Sequence, residues 1–189
     1  MAFHHTQKAF RTILDALSFP GKINQLDEGE IDMESFNSKT ALVCETLLDS
    51  EVTFHVIEEE QSITHILRAF TGSHLTDLNK ADYVIIPQET SIERIINSLS
   101  LVKIGNLANP HKSATIIFEV DSLLNGYYYE LTGPGIKIKT ELNCTIHPEI
   151  IEKRREINVE YPLGIDFILI DSRGNVVGIP RTTQITEVM

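Results

Sequence analysis

The feature that most constrains the fold is an alternation of helix-like and strand-like apolar patterns along the first hundred residues. Apolar side chains recur at helical spacing in four places, which puts an apolar stripe on each of four helices. Short apolar runs of strand length lie between these stripes. The helical patterns cover residues 10–17, 36–48, 63–70 and 92–99, and the strand-like runs cover residues 52–57 and 83–86. This order predicts an α/β chain whose early strands are parallel.

The second half of the chain has a different pattern, in which strand-like runs follow one another. Three strand-like runs, separated by turns at Asn125-Gly126 and Gly133-Pro134-Gly135, predict a meander of neighbouring antiparallel strands. Pro148 opens a further helix, and a closing hairpin follows around a turn at residues 172–175. The three runs are residues 115–120, 127–131 and 136–140, the helix extends to Glu160, and the hairpin strands are residues 166–170 and 176–179.

These patterns together predict a three-layer αβα sandwich built on a mixed sheet. No linker, repeat or low-complexity tract divides the chain, so we expect a single domain over residues 1–189. None of the seven histidines shows HExxH or cysteine-rich metal-ligand spacing, so no metal site is predicted.

Charge and cysteine content narrow the class of protein. The 189 residues include 27 acidic and 16 basic side chains, a formal charge of −11, which argues against a nucleic-acid partner. Two cysteines far apart in sequence favour a reduced, cytoplasmic compartment over a secreted disulfide scaffold. The N-terminus lacks a secretory pattern, and no apolar run reaches the roughly 20 residues of a membrane span.

Several local motifs have both a chemical and a structural interpretation. Gly133-Pro134-Gly135 is better explained as a turn than as a dinucleotide loop, because the residues after it alternate like a strand. Residues 105–113 are similar in composition to a phosphate-binding loop, but a strand follows them where such a loop is followed by a helix. The segment is therefore better explained as a solvated connection between elements. Cys144 and His147 are compatible with a thiolate pair, although a buried thiol and a helix-capping histidine are favoured.

Charged residues near the C-terminal half divide into two groups. Residues 153–155 lie among glutamates, which predicts a solvated, mixed-charge helix face. Asp166 and Arg181 flank apolar strands instead, and charges in such positions need partners. Those partners are either each other or a ligand. The residues alone therefore indicate an α/β protein without a visible catalytic set.

Three segments of the chain carry distinctive motifs. The first is an Arg-bearing amphipathic stretch that ends in Pro-Gly. The second is a Gly-Pro-Gly turn, and the third pairs Pro-Leu-Gly-Ile-Asp with a later Ile-Pro-Arg-Thr-Thr. They occupy residues 8–21, 131–136, and 161–166 with 179–183. Together they resemble a known family, the PhnH subunit of the bacterial phosphonate carbon–phosphorus lyase system, and the segment order fits over nearly the whole chain.

The resemblance implies a homodimer with a fold similar to the large domain of pyridoxal-phosphate-dependent transferases, without that cofactor. It implies sister subunits of a carbon–phosphorus lyase core complex, which joins the ribose 5-triphosphate unit of ATP to a phosphonate and releases adenine. ATP is then a substrate of the complex, and this chain is an accessory, structural subunit with no assigned catalytic residue. The motif positions carried over as candidate ligand contacts are Arg11, Asp166, Arg181, Thr182 and Thr183.

Two alternatives stay open. A stand-alone nucleotide- or phosphonate-binding protein would gain stability from its ligand without any partner. An independent enzyme that uses Cys144 or a bound cofactor would lose turnover when that thiol is removed.

Overall fold

A computed structural model of the chain describes residues 2–27, 37–57 and 61–188. The helices in these ranges are α1 Ala2–Ser18, α2 Ser38–Leu47, α3 Gln61–Thr71, α4 Ile92–Leu99 and α5 Pro148–Ile157. The strands are β1 Asn24–Gln25, β2 Thr53–Val56, β3 His74–Leu75, β4 Tyr83–Ile86, β5 Ile104–Asn106, β6 Asn109–Ser113, β7 Thr115–Val120, β8 Tyr127–Thr132, β9 Thr140–Cys144, β10 Asp166–Asp171, β11 Asn175–Ile179 and β12 Gln184–Glu187. The predicted helices are confirmed, but the last of them ends at Ile157 rather than Glu160. Phe36, placed at the start of the second, lies outside the described residues.

A seven-stranded mixed sheet forms the centre of the molecule, in the order β1-β11-β10-β7-β4-β2-β3. The early strands β2, β3 and β4 are parallel, as predicted. Strands β7 and β10 join the same parallel set, although they come from the half of the chain expected to be antiparallel. The long connection between them, which includes α5, provides the crossover that parallel pairing requires. The hairpin partner β11 is antiparallel to β10.

The predicted meander is partly confirmed. Strands β8 and β9 are antiparallel neighbours, as expected, and β12 pairs with the other edge of β8 in a separate three-stranded sheet. Strand β7, expected beside them, belongs to the large sheet instead. The strand expected at residues 136–140 starts only at Thr140. Ile138 is 79% exposed, so the apolar alternation before that point does not reflect burial.

Apolar clusters cover both faces of the large sheet. Ile168 and Ile170 of β10 pack with α1, α2 and α3 on one face. Phe167 and Leu169 point the other way and pack with α4, α5 and the three-stranded sheet. This alternation along one strand is what a sheet covered on both faces requires. The likeness to pyridoxal-phosphate-dependent transferases stays a prediction.

Helix α1 buries only part of the expected stripe. Ile13 is buried with Ala9 and Ala16, and Leu17 packs against the same cluster, whereas Phe10 is 51% and Leu14 is 54% exposed. A methyl group placed on Gly178 of β11 would lie 2.6 Å from the carbonyl carbon of Ala16, so the helix approaches the sheet closely. The small side chains of Ala9 and Ala16 allow that approach, and Phe10 and Leu14 are left on the outside.

No helix in the described part of the chain is long and apolar enough to cross a membrane.

Candidate functional site

The two charges singled out by the sequence pair with each other. Asp166 begins β10, and Arg181 follows β11. The Arg181 backbone N–H donates to Asp166 Oδ1 at 2.6 Å, its Nε donates to the same oxygen at 3.2 Å, and its Nη2 donates to Oδ2. The remaining Nη1 donates to the Pro110 carbonyl at 2.8 Å, which ties the β5–β6 hairpin to the pair. The guanidinium is therefore engaged in intramolecular contacts on every nitrogen.

Arg154 on α5 holds the same segment from the other side. It is only 2% exposed, and its guanidinium donates to the carbonyl oxygens of Ile179 at 3.2 Å, Pro180 at 2.6 Å and Thr183 at 3.1 Å. Its Cζ lies 5.4 Å from the centroid of the Phe167 ring. Burial lowers the pKa of Arg154 to about 10, against an opposing effect of Asp166. The side chain is thus still charged at neutral pH.

The expectation of a fully solvated face at residues 153–155 is wrong for the middle residue. Lys153 pairs with Glu156 at 3.1 Å and Arg155 with Glu152 at 2.5 Å on the exposed side of α5. Arg154 falls three and four residues after Ile151 and Ile150, both buried, and so lies on the buried side of the helix. The spacing of Arg154 from these two isoleucines could have predicted its burial from the sequence.

The three segments that carry the family resemblance meet in space. A methyl group on Gly135 would lie 2.6 Å from the Ser18 carbonyl oxygen and 2.8 Å from Pro20 Cδ, so the Gly-Pro-Gly turn packs on the end of α1. A methyl group on Gly133 would lie 2.8 Å from the carbonyl oxygen of Thr182. These motifs therefore record close backbone packing around one corner of the fold.

The structure brings four of the five predicted contact positions together. Asp166, Arg181, Thr182 and Thr183 lie around the turn after β11. Thr183 is buried, and its Oγ1 has no hydrogen-bond partner among the described residues. Arg11 is exposed on α1, which packs on the face of the sheet opposite α5, so it does not belong to this cluster.

A cavity of about 370 Å³ opens between α5 and the segment that leads into β12. Its lining residues include three arginines and several neutral polar side chains, and none of them carries a carboxylate. The polar ones are Arg154, Arg155, Asn158, Arg181, Thr183, Gln184 and Thr186. Asn158 is already committed, because its side chain bonds the backbone of Ile165 and Arg181.

The remaining motifs have the structural rather than the chemical roles considered for them from the sequence. Burial raises the pKa of the Cys144 thiol to about 11, so it is protonated at neutral pH, and the His147 side chain caps α5 by accepting from the Glu149 N–H. Cys44 is also buried, and burial raises its thiol pKa further.

Residues 104–113 form the β5–β6 hairpin, and the Gly-Pro-Gly turn is followed by no helix until α5. Within the described ranges, no three His, Cys, Asp or Glu side chains are grouped to hold a metal ion.

Comparison with known proteins identifies the family of this chain. Residues 1–186 match the family described as "Bacterial phosphonate metabolism protein (PhnH)". The chain belongs to the PhnH family. It is 30% identical over 184 residues to HtxG of Stutzerimonas stutzeri, which has the name of a C-P lyase subunit protein, with 95% of this chain and 85% of HtxG covered. It is 25% identical over 184 residues to the "Alpha-D-ribose 1-methylphosphonate 5-triphosphate synthase subunit PhnH" of Rhizobium meliloti (strain 1021), with 95% and 89% covered.

Proposed function

We propose that this chain is a structural subunit of a carbon–phosphorus lyase core complex in organic phosphonate catabolism. In that complex, ATP and a phosphonate give ribose 1-phosphonate 5-triphosphate with release of adenine. The supporting observation is the PhnH family match across residues 1–186, together with the subunit names of two relatives. We place the chain in the cytoplasm, as part of a homodimer that binds sister subunits.

The geometry of the motif residues favours an assembly role. The Asp166–Arg181 pair and the Arg154 hydrogen bonds hold backbone segments of the chain itself. Cys144 is a protonated, buried thiol, which is a poor nucleophile. The chemistry therefore belongs mainly to the partner subunits in this proposal, and the present chain supplies surfaces to them.

Exposed apolar side chains provide such a surface. Phe10, Leu14, Phe19 and Ile23, which we call the N-terminal apolar face, lie on α1 and just after it and are 39–54% exposed. Water-exposed apolar clusters of this kind are typical of protein contact sites. We assign this face to contacts between subunits.

A likeness to pyridoxal-phosphate-dependent transferases in fold, but without their cofactor, is part of the proposal. A pyridoxal enzyme needs an accessible lysine in a pocket for its Schiff base. Lys80 and Lys139 instead form surface ion pairs of 2.7 Å with Asp77 and Glu130. Purified protein is expected to show no visible absorbance from a pyridoxal group, and such a band would contradict this point.

Reconstitution tests the main proposal. Adenine release from ATP and methylphosphonate is measured with the sister subunits in the presence and absence of this chain. We expect omission to abolish release, and unchanged release without the chain would overturn the proposal. That second result is what the alternative of a stand-alone binding protein predicts.

A matched pair of substitutions tests the N-terminal apolar face. Leu14→Glu is expected to reduce co-purification with the sister subunits or with a second copy, without lowering the melting temperature. Leu124→Glu is the control, because Leu124 is similarly exposed at 47% and lies outside this face. Equal co-purification of the two variants would show that the face is not a subunit contact.

A further inference from the structure

The cavity beside α5 is lined by the polar residues Arg154, Arg155, Asn158, Arg181, Thr183, Gln184 and Thr186, and it has a positive charge in an acidic protein. Arg181 is neutralised by Asp166, and Arg155 by Glu152. Arg154 bonds only carbonyl oxygens, so three arginines face two paired carboxylates and one positive charge is left. A buried charge without a paired counter-charge is uncommon in proteins.

The cavity wall also has unused hydrogen-bonding capacity. Arg154 Nε and Thr183 Oγ1 have no hydrogen-bond partner in the described part of the chain, and both residues are 2% exposed. A buried polar atom left without a partner destabilises a fold by about 1–3 kcal/mol. Both atoms are covered by protein, so they mark a destabilising part of the cavity wall rather than a contact surface. The unpaired arginine charge is what points to a missing anion.

We propose that this cavity binds a phosphate or phosphonate group of a small molecule. Its volume of about 370 Å³ falls within the range of about 300–1,000 Å³ that is usual for small-molecule sites. Arg154 supplies the uncompensated charge from the inner wall. Arg155, Gln184 and Thr186 supply donors from the rim, where all three are exposed.

Two features of α5 oppose anion binding in the cavity, and both are weaker than the charge of Arg154. The C-terminal end of α5 contributes about half a negative charge, which is less than the full charge of one arginine. The Arg155–Glu152 pair lies at the surface, with side chains 65% and 53% exposed, and surface pairs of this kind are worth little. Arg155 is therefore free to turn towards an anion. The choice of a phosphorus oxyanion over other anions rests on the proposed function, whereas the anion site itself does not.

The test uses the isolated full-length chain. Its melting temperature and calorimetric binding are measured with inorganic phosphate, methylphosphonate and inorganic tripolyphosphate, and with sodium chloride and sodium acetate at matched ionic strength. We expect at least one phosphorus oxyanion to raise the melting temperature by about 5–10 °C at a hundredfold excess over its Kd. The absence of any rise beyond that of chloride, or a larger rise with acetate, would overturn the proposal.

Rim variants locate the binding without disturbing the core. Arg155→Gln removes a rim cation, and Gln184→Glu adds a carboxylate at the exposed edge of the cavity. Each is expected to weaken binding about tenfold. Arg173→Gln, at an exposed arginine in the β10–β11 turn, is the matched control and is expected to bind normally. Equal affinity in all three variants would place the anion elsewhere and overturn the assignment.

The outcome is separable from the assembly proposal. Loss of oxyanion binding in the isolated chain says nothing about co-purification with sister subunits, which is measured independently. A chain that assembles but binds no oxyanion refutes only the cavity assignment. A chain that binds the oxyanion but never supports adenine release refutes only the subunit role.

Discussion

The guanidinium of Arg154 donates a 2.6 Å hydrogen bond to the carbonyl oxygen of Pro180, one residue before the arginine that pairs with Asp166. Helix α5 and strand β10 thus hold one short turn from two sides. The turn leads into β12, which completes the small sheet. Fixing this turn therefore fixes how the small sheet continues from the large one.

Adjacent arginines on α5 give the first prediction. Arg154→Met leaves three carbonyl oxygens without their charged donor, and we expect it to lower the free energy of unfolding by about 3 kcal/mol. Arg155→Met, at an exposed position, is expected to change it by less than about 0.5 kcal/mol. Urea unfolding of both variants measures the difference. Similar effects of the two substitutions would show that Arg154 does not anchor the turn.

The Asp166–Arg181 pair gives the second prediction. Its two side chains are about one-fifth exposed, so water screens the pair only in part. A double-mutant cycle of Asp166→Asn and Arg181→Met is expected to give a coupling free energy of about 1–3 kcal/mol, which is larger than for a surface pair. The same cycle at Lys80 and Asp77, which are 67% and 74% exposed, is the reference. Additive effects at positions 166 and 181 would contradict the pairing argument.

Glycine at position 133 is the subject of the third prediction. Its φ of +132° is a backbone conformation that side chains rarely adopt, and an added methyl group would meet the Thr182 carbonyl oxygen at 2.8 Å. We expect Gly133→Ala to lower the melting temperature by several degrees more than Gly72→Ala. Gly72 ends α3 with a φ of +72° and has open space where a methyl group would go. Thermal unfolding of the two variants decides the matter, and equal melting temperatures would rule out close packing at Gly133.

The fourth prediction concerns Glu119 on β7 and its dependence on pH. The side chain is buried at 6% exposure and accepts a 3.1 Å hydrogen bond from the Gln88 N–H. Burial raises the pKa of Glu119, against smaller opposing effects of the polar neighbours Thr40, Gln88 and Asn37. Because its pKa is higher in the folded state than in the unfolded one, its stabilising effect is present below the unfolded pKa. That effect is lost as the pH rises through the folded value.

Glu119→Gln is therefore expected to melt a few degrees above the parent at pH 7.5 and to lose this advantage near pH 4. Melting temperatures recorded from pH 4 to pH 8 provide the measurement. Glu51→Gln, at an exposed glutamate, serves as the control and is expected to show no such trend. An advantage that is constant across this pH range would mean that ionisation of Glu119 is not its cause.

Sequence patterns predicted the local elements well and their assembly less well. The spacing of Ile63, Ile66, Leu67 and Phe70 predicted a helix, which the structure has, ending just before Gly72, where the glycine accepts a positive φ. Each predicted stripe is nevertheless buried only in part, since Phe70 on α3 and Phe10 and Leu14 on α1 are at least half exposed. Periodicity identifies an apolar stripe but not whether a neighbouring strand or another subunit covers it.

The candidate site shows the same division. The sequence singled out Asp166 and Arg181, because charges beside apolar strands need partners, and the resemblance indicated Thr182 and Thr183. It placed Arg154 on the solvated face, since a charged residue between charged neighbours is usually exposed.

The helices, most strands of the large sheet and the family could therefore be predicted, since these depend on neighbouring residues and short motifs. The pairing of β7 with β10, the burial of Arg154 and the packing of the Gly-Pro-Gly turn on the end of α1 could not. These contacts join residues far apart in the chain. Their geometry is set by how whole layers pack, which no local spacing encodes.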